Sequence, residues 1–137
     1  NSAVIKLLNT YKSQVDNSHF HPIQIAGATA LTGDQTWLQQ RNDIYKERRD
    51  IILKTLREVG FTTETPPSTI YIWAKIPARF TDCVEFCDRL LKETGVSLTP
   101  GVVYGDYGKG YIRVSLGIAT DRCRVAMERL QEWIKKQ

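Results

Sequence analysis

Apolar residues recur at helical intervals of three and four in several separate stretches of this chain. From Ser2 to Val15 the apolar positions are Val4, Ile5, Leu7, Leu8, Tyr11 and Val15, which predicts a first helix. Ile23 to Leu31 predicts a second, with Pro22 in its first turn. Thr32-Gly33-Asp34 interrupts, and Asp34 is placed to cap a third helix. That long amphipathic helix runs from about Gln35 to Val59 through Leu38, Arg41, Tyr45, Arg48, Ile52 and Leu56, and Gly60 stops it. Beyond the Pro-containing loop 62–68 the period changes. Ile70-Tyr71-Ile72-Trp73-Ala74 is β-branched and aromatic and predicts a strand that ends before Pro77.

Asp82 with Glu85 forms a capping pair for a helix through Glu93, closed by Gly95. Val96–Leu98 predicts a short strand, Pro100 to Gly110 a glycine-rich turn, and Tyr111–Leu116 another strand. Thr120 is expected to cap a last helix that carries Cys123, Ala126, Met127, Leu130, Trp133 and Ile134 on one face. The predicted class is α+β: a long helix followed by β-α-β-β-α, with a small sheet packed on helices.

Composition narrows the possibilities. The 137 residues, 42% hydrophobic and 25% charged, are enough for one domain with a core and too ordered in composition for a disordered chain. No apolar run is long enough to span a bilayer, so no membrane is expected as a partner. The net charge of +4 comes from basic and acidic residues interleaved throughout, whereas a nucleic-acid binder concentrates its positive charge, so no nucleic-acid partner is expected. Three cysteines are an odd number in a chain without a disulfide-framework pattern, which points to a reducing, cytoplasmic compartment.

Arg113 is the most informative charged residue, because Tyr111-Ile112-Arg113-Val114-Ser115-Leu116 places a guanidinium inside an apolar strand. Either it meets a carboxylate or phosphate in fork geometry, or it simply alternates outward from a half-solvated sheet. The glycines at 101, 105, 108 and 110 could cradle an anion with their backbone, yet a strand comes after them rather than a helix N-terminus, and a turn explains them as well. Cys83 and Cys87, four apart, could share a metal or pack as buried thiols, and Cys123 reads as a buried thiol. His19 and His21 flank Phe20 without a nucleophile motif and read as either a general base or a helix-entry segment. Arg41, Lys46, Arg48 and Arg49, interrupted by Asp43, Glu47 and Asp50, predict a solvated, salt-bridged helix face. None of this forms a self-sufficient catalytic or metal site.

The motifs taken in order say more. Tyr45-Lys46-Glu47-Arg48-Arg49-Asp50 lies on a long helix. Tyr71-Ile72-Trp73 is next, then Pro100-Gly101, Gly105, Gly108 and Gly110-Tyr111-Ile112-Arg113-Val114-Ser115-Leu116. This succession resembles the C-terminal part of class I/II aminotransferases of fold type I, nearest to the LL-diaminopimelate and aspartate types, over nearly the whole chain. The resemblance implies pyridoxal 5′-phosphate as cofactor and amino-group transfer between an amino acid and a 2-oxo acid. It also implies a homodimer, a role for Arg113 in binding the substrate α-carboxylate, and a place for His21 near the partner subunit's active site. Residues 1–33 would be a helical segment leading from a large domain, and 34–137 the small domain. The family's Schiff-base lysine, ring-pairing aspartate, stacking aromatic and phosphate-binding cluster have no counterpart here. The chain also opens at Asn1 without a methionine. The expectation is therefore part of a longer enzyme, inactive alone, since this chemistry needs the lysine. The competing expectation is a free-standing, non-catalytic domain that binds a ligand or partner.

Overall fold

A computed structural model describes residues 1–16 and 19–137, which divide into two compact units, Asn1–Trp37 and Leu38–Gln137. The first unit holds α1 (Ser2–Val15) and α2 (His21–Thr32). Asn1 caps α1 by accepting from the Ala3 amide, and Lys12 pairs with Asp16 one turn on, at 2.8 Å. Pro22 sits in the first turn of α2, where its missing N–H costs nothing. Neither helix buries a residue, so Val4, Leu7, Leu8, Tyr11, Ile23 and Leu31 all stand exposed.

The helix α3 (Thr36–Glu58) starts where Asp34 accepts from both the amide and the hydroxyl of Thr36. Those two bonds, the hydroxyl's first, hold the Asp34 carboxyl below its ordinary pKa. At the far end Gly60 takes a positive φ of 92°, and the chain turns back so that the Phe61 amide reaches the Leu56 carbonyl. Next come β1 (Tyr71–Lys75), α4 (Cys83–Thr94), β2 (Thr99–Pro100), two short 3-10 turns, β3 (Tyr111–Ser115) and α5 (Thr120–Lys135). Asp82 caps α4 by accepting from the Val84 and Glu85 amides, and Gly95, at φ 74°, ends it. The α+β class and element order agree with the sequence reading.

The three strands are antiparallel in the order β1-β3-β2, with Trp73 and Thr99 both opposite Arg113. The second strand is shifted from its expected place. Val96 is buried and gives its amide to the Thr94 hydroxyl at the helix exit, so ladder pairing begins only at Thr99. Pro100 is tolerated there because β2 lies at the sheet edge. The capping role expected of Thr120 is also corrected. Ala119 holds the cap position without a side-chain bond, and the Thr120 hydroxyl instead accepts from Arg48 Nε at 3.0 Å.

Strand alternation sends Ile72, Ala74, Ile112 and Val114 into the core. There they join Ile52 and Leu56 of α3, Phe86 and Leu90 of α4, and Met127, Leu130 and Trp133 of α5. Phe86 packs edge-on against Phe61, Phe80 and Trp133, with centroids 5.7, 4.9 and 5.4 Å away. With those positions committed to the core, the opposite face of β1 and β3 presents Tyr71, Trp73 and Arg113.

Candidate substrate-carboxylate site

Arg113 is half-buried, between the fully buried Ile112 and the buried Val114. It points outward, as alternation allows, but it is not simply solvated. Its guanidinium carbon lies over the ring of Tyr71, 4.0 Å from the centroid, and over that of Tyr104 at 4.6 Å. Tyr104 meets Trp73 edge-on at 5.3 Å. Arg48, Arg49 and Arg89 are also half-buried, and each is hydrogen-bonded or ion-paired within the chain. Among the described residues no group hydrogen-bonds the Arg113 guanidinium and no carboxylate lies within ion-pair distance of it. The rings attract the cation but satisfy none of its five N–H donors. A partly desolvated fork with no acceptor is suited to a planar carboxylate.

The cleft over this guanidinium has a volume of about 410 Å³ and is walled by Tyr71, Trp73, Tyr104, Pro66, Pro67, Thr69 and Glu64. A groove of about 530 Å³ beside α5 does not include Arg113 in its walls.

His21 is the first residue of α2, exposed, in the first unit. Cys83, Cys87 and Cys123 are all buried, and the first two lie on the core face of α4. Burial, then Cys83 and Asp88, pushes the Cys87 thiol up to about 12, away from a reactive thiolate. The glycine-rich segment makes two 3-10 turns, Gly101–Tyr104 and Asp106–Gly108, and feeds a strand. The basic face of α3 is only partly a solvated ion-pair surface. Arg49 pairs with Asp50 and Glu47 with Arg124, but Arg48 reaches into the fold to the Leu116 carbonyl and the Thr120 hydroxyl. Tyr71 and Tyr104 are site residues that sequence reasoning missed. The signal for Tyr71 was its even spacing from Trp73 on one strand. Tyr104 left no signal, because only the turn geometry carries it to Arg113.

Residues 1–130 match the family model described as aminotransferase class I and II. The chain belongs to the class I and II aminotransferase family. The LL-diaminopimelate aminotransferase of Moorella thermoacetica is 41% identical over 133 residues, which are 97% of this chain and 34% of that protein. The enzyme of the same name from Desulforudis audaxviator is 40% identical over 96% of this chain and 33% of its own length. Substrate-bound BacF from Bacillus subtilis superposes with a TM-score of 0.82 at 33% identity, over 97% of this chain and 34% of BacF. The aromatic aminotransferase of Pyrococcus horikoshii gives 0.77 at 33% identity, over 83% of this chain and 31% of its own. The chain thus spans about a third of the length of the relatives it matches.

The family implies pyridoxal phosphate, which needs a lysine for its aldehyde and a cradle for its phosphate. Every lysine of this chain is exposed and none lines the Arg113 cleft. Gly101 and Gly108 are filled by each other's backbone, so neither presents an open cradle. The residues present do not by themselves make a site for that cofactor.

Proposed function

We propose that this chain is the C-terminal, substrate-carboxylate-binding part of a pyridoxal-phosphate-dependent amino-acid aminotransferase of LL-diaminopimelate or aspartate type. The observation that carries this reading is the unpaired, half-buried guanidinium of Arg113 under two tyrosine rings. A carboxylate bound there through two parallel N–H···O bonds is fixed in both position and plane. Fixing it turns an encounter into a defined approach of the reacting carbon, which is catalysis by positioning. The cofactor, when bound, supplies the electron sink, and its lysine belongs to a large domain outside these 137 residues. The chain alone does not transaminate.

The exposed apolar residues of α1 and α2 support a further packing partner, because an apolar face of that size is rarely left to water. That partner is the large domain of the same enzyme. The homodimer, the cytoplasmic location and the approach of His21 to the partner subunit's active site rest on the family relationship alone.

In the full-length enzyme, Arg113→Ala should raise KM for the amino-acid substrate by roughly tenfold to a hundredfold, the range expected for losing a charge-assisted bond. Arg113→Lys should recover only part, since an ammonium lacks the planar fork. Steady-state kinetics decides it, and an unchanged KM in Arg113→Ala would overturn the assignment.

A further inference from the structure

We propose that the glycine-rich turn before β3 is a positioning device: by closing Gly101 onto Gly108 it carries Tyr104 over Arg113, and Tyr104 with Tyr71 presets the guanidinium for carboxylate binding. The inference rests on the reading of Arg113 as the carboxylate-binding residue and gives Gly101, Gly108, Tyr71 and Tyr104 their roles in positioning it.

The turn is closed backbone to backbone. A Cβ built on Gly101 would lie 2.2 Å from the Gly108 carbonyl oxygen, and one on Gly108 would lie 1.9 Å from the Gly101 oxygen. No side chain fits at either position. Between them Gly105 takes a φ of 111°, its amide bonded to the Val102 carbonyl at 3.0 Å, and the Gly108 amide reaches the Gly105 carbonyl at 3.0 Å. Antiparallel strands can reverse through a loop of about two residues, so a connection from Gly101 to Gly110 that closes on its own backbone is more than reversal needs. Its product is the placement of Tyr104 at the end of the first 3-10 turn.

Tyr104 does little for the core. It is 48% exposed, and its ring contacts are Trp73 and the Arg113 cation. An arginine side chain carries large rotamer entropy, and a ligand that must immobilise it binds more weakly. Two aromatic rings over the cation remove that freedom before the ligand arrives, and because rings offer no lone-pair acceptor in the fork plane they leave the donors for the ligand. The work is done by the ring face and not by the phenolic hydroxyl.

The test is steady-state kinetics on the full-length, cofactor-loaded enzyme, with Arg113→Ala, Tyr104→Leu and Tyr104→Phe compared side by side for KM, kcat and Tm. Tyr104→Leu should raise KM for the amino-acid substrate roughly three- to thirtyfold, as expected for a lost cation–ring contact, with kcat and Tm near wild type. Tyr104→Phe, which keeps the ring, should restore KM. If Arg113→Ala raises KM while Tyr104→Leu does not, the positioning role is overturned and the carboxylate site stands. If Tyr104→Phe is as impaired as Tyr104→Leu, the hydroxyl acts and the ring does not, which also overturns it. A fall in Tm that matches the loss of activity would make Tyr104 structural and overturn it too. If Arg113→Ala leaves KM unchanged, the carboxylate reading fails and takes this inference with it.

Discussion

Loss of water acts in opposite ways on the buried Cys87 and the half-buried Arg113. Removing the Cys87 thiol from water penalises its thiolate, so its pKa rises from the ordinary 9.0 to about 12. The sign comes from linkage. The folded state holds the proton more tightly than the unfolded state, so this contribution to stability is complete below pH 9.0 and is lost as pH climbs toward about 12. Iodoacetamide at pH 8 should therefore leave native Cys87 unmodified over hours and label it within minutes in urea, as peptide mass mapping would show. Arg113 loses water as well, and the tyrosine rings offset part of the cost while its donors stay open. Arg48 shows how a sequence pattern misleads at this scale. Its acidic neighbours on α3 predicted a solvated ion pair, whereas its partners are the Leu116 carbonyl and the Thr120 hydroxyl, about seventy residues away along the chain. A long-range hydrogen bond leaves no trace in local spacing.

Among the elements, the helices were legible because their signals are local. Asp82 and Gly95 bracket α4 through contacts within a few residues of themselves. Replacing Asp82 by Ala removes the acceptor for the Val84 and Glu85 amides and should cost about 1 kcal/mol of stability, read as a shifted urea midpoint with an unchanged slope. The strands were less legible. β1 and β3 lie within a residue of their expected limits, while β2 is displaced from Val96–Leu98 to Thr99–Pro100. Apolar, β-branched composition marks where a strand could form, but pairing depends on which residues β3 faces, and β3 faces Thr99 and Pro100. The turn at Gly101–Gly108 was readable as a turn. That its backbone closes on itself and delivers Tyr104 to Arg113 was not.

At the scale of the whole chain, every core side chain among the described residues belongs to the unit Leu38–Gln137. A chain lacking residues 1–37 should accordingly melt in a single cooperative transition within a few degrees of the 137-residue chain, by circular dichroism, because the truncation removes no buried side chain among the described residues. A much lower or broadened transition would show that α1 and α2 contribute to the core unit after all. The sequence by itself determined the α+β class, the helix limits, the family and the prominence of Arg113, since each is written in local periodicity, capping residues or an ordered set of motifs. Only the tertiary structure decided that Arg113 lies under Tyr71 and Tyr104 with no acceptor among the described residues, that Arg48 ties α3 to the start of α5, and that β3 pairs at Thr99. The physical reason is that pairing register and ring–cation contacts join residues far apart in the chain, and their energies depend on distances that exist only once the sheet and its turn have closed.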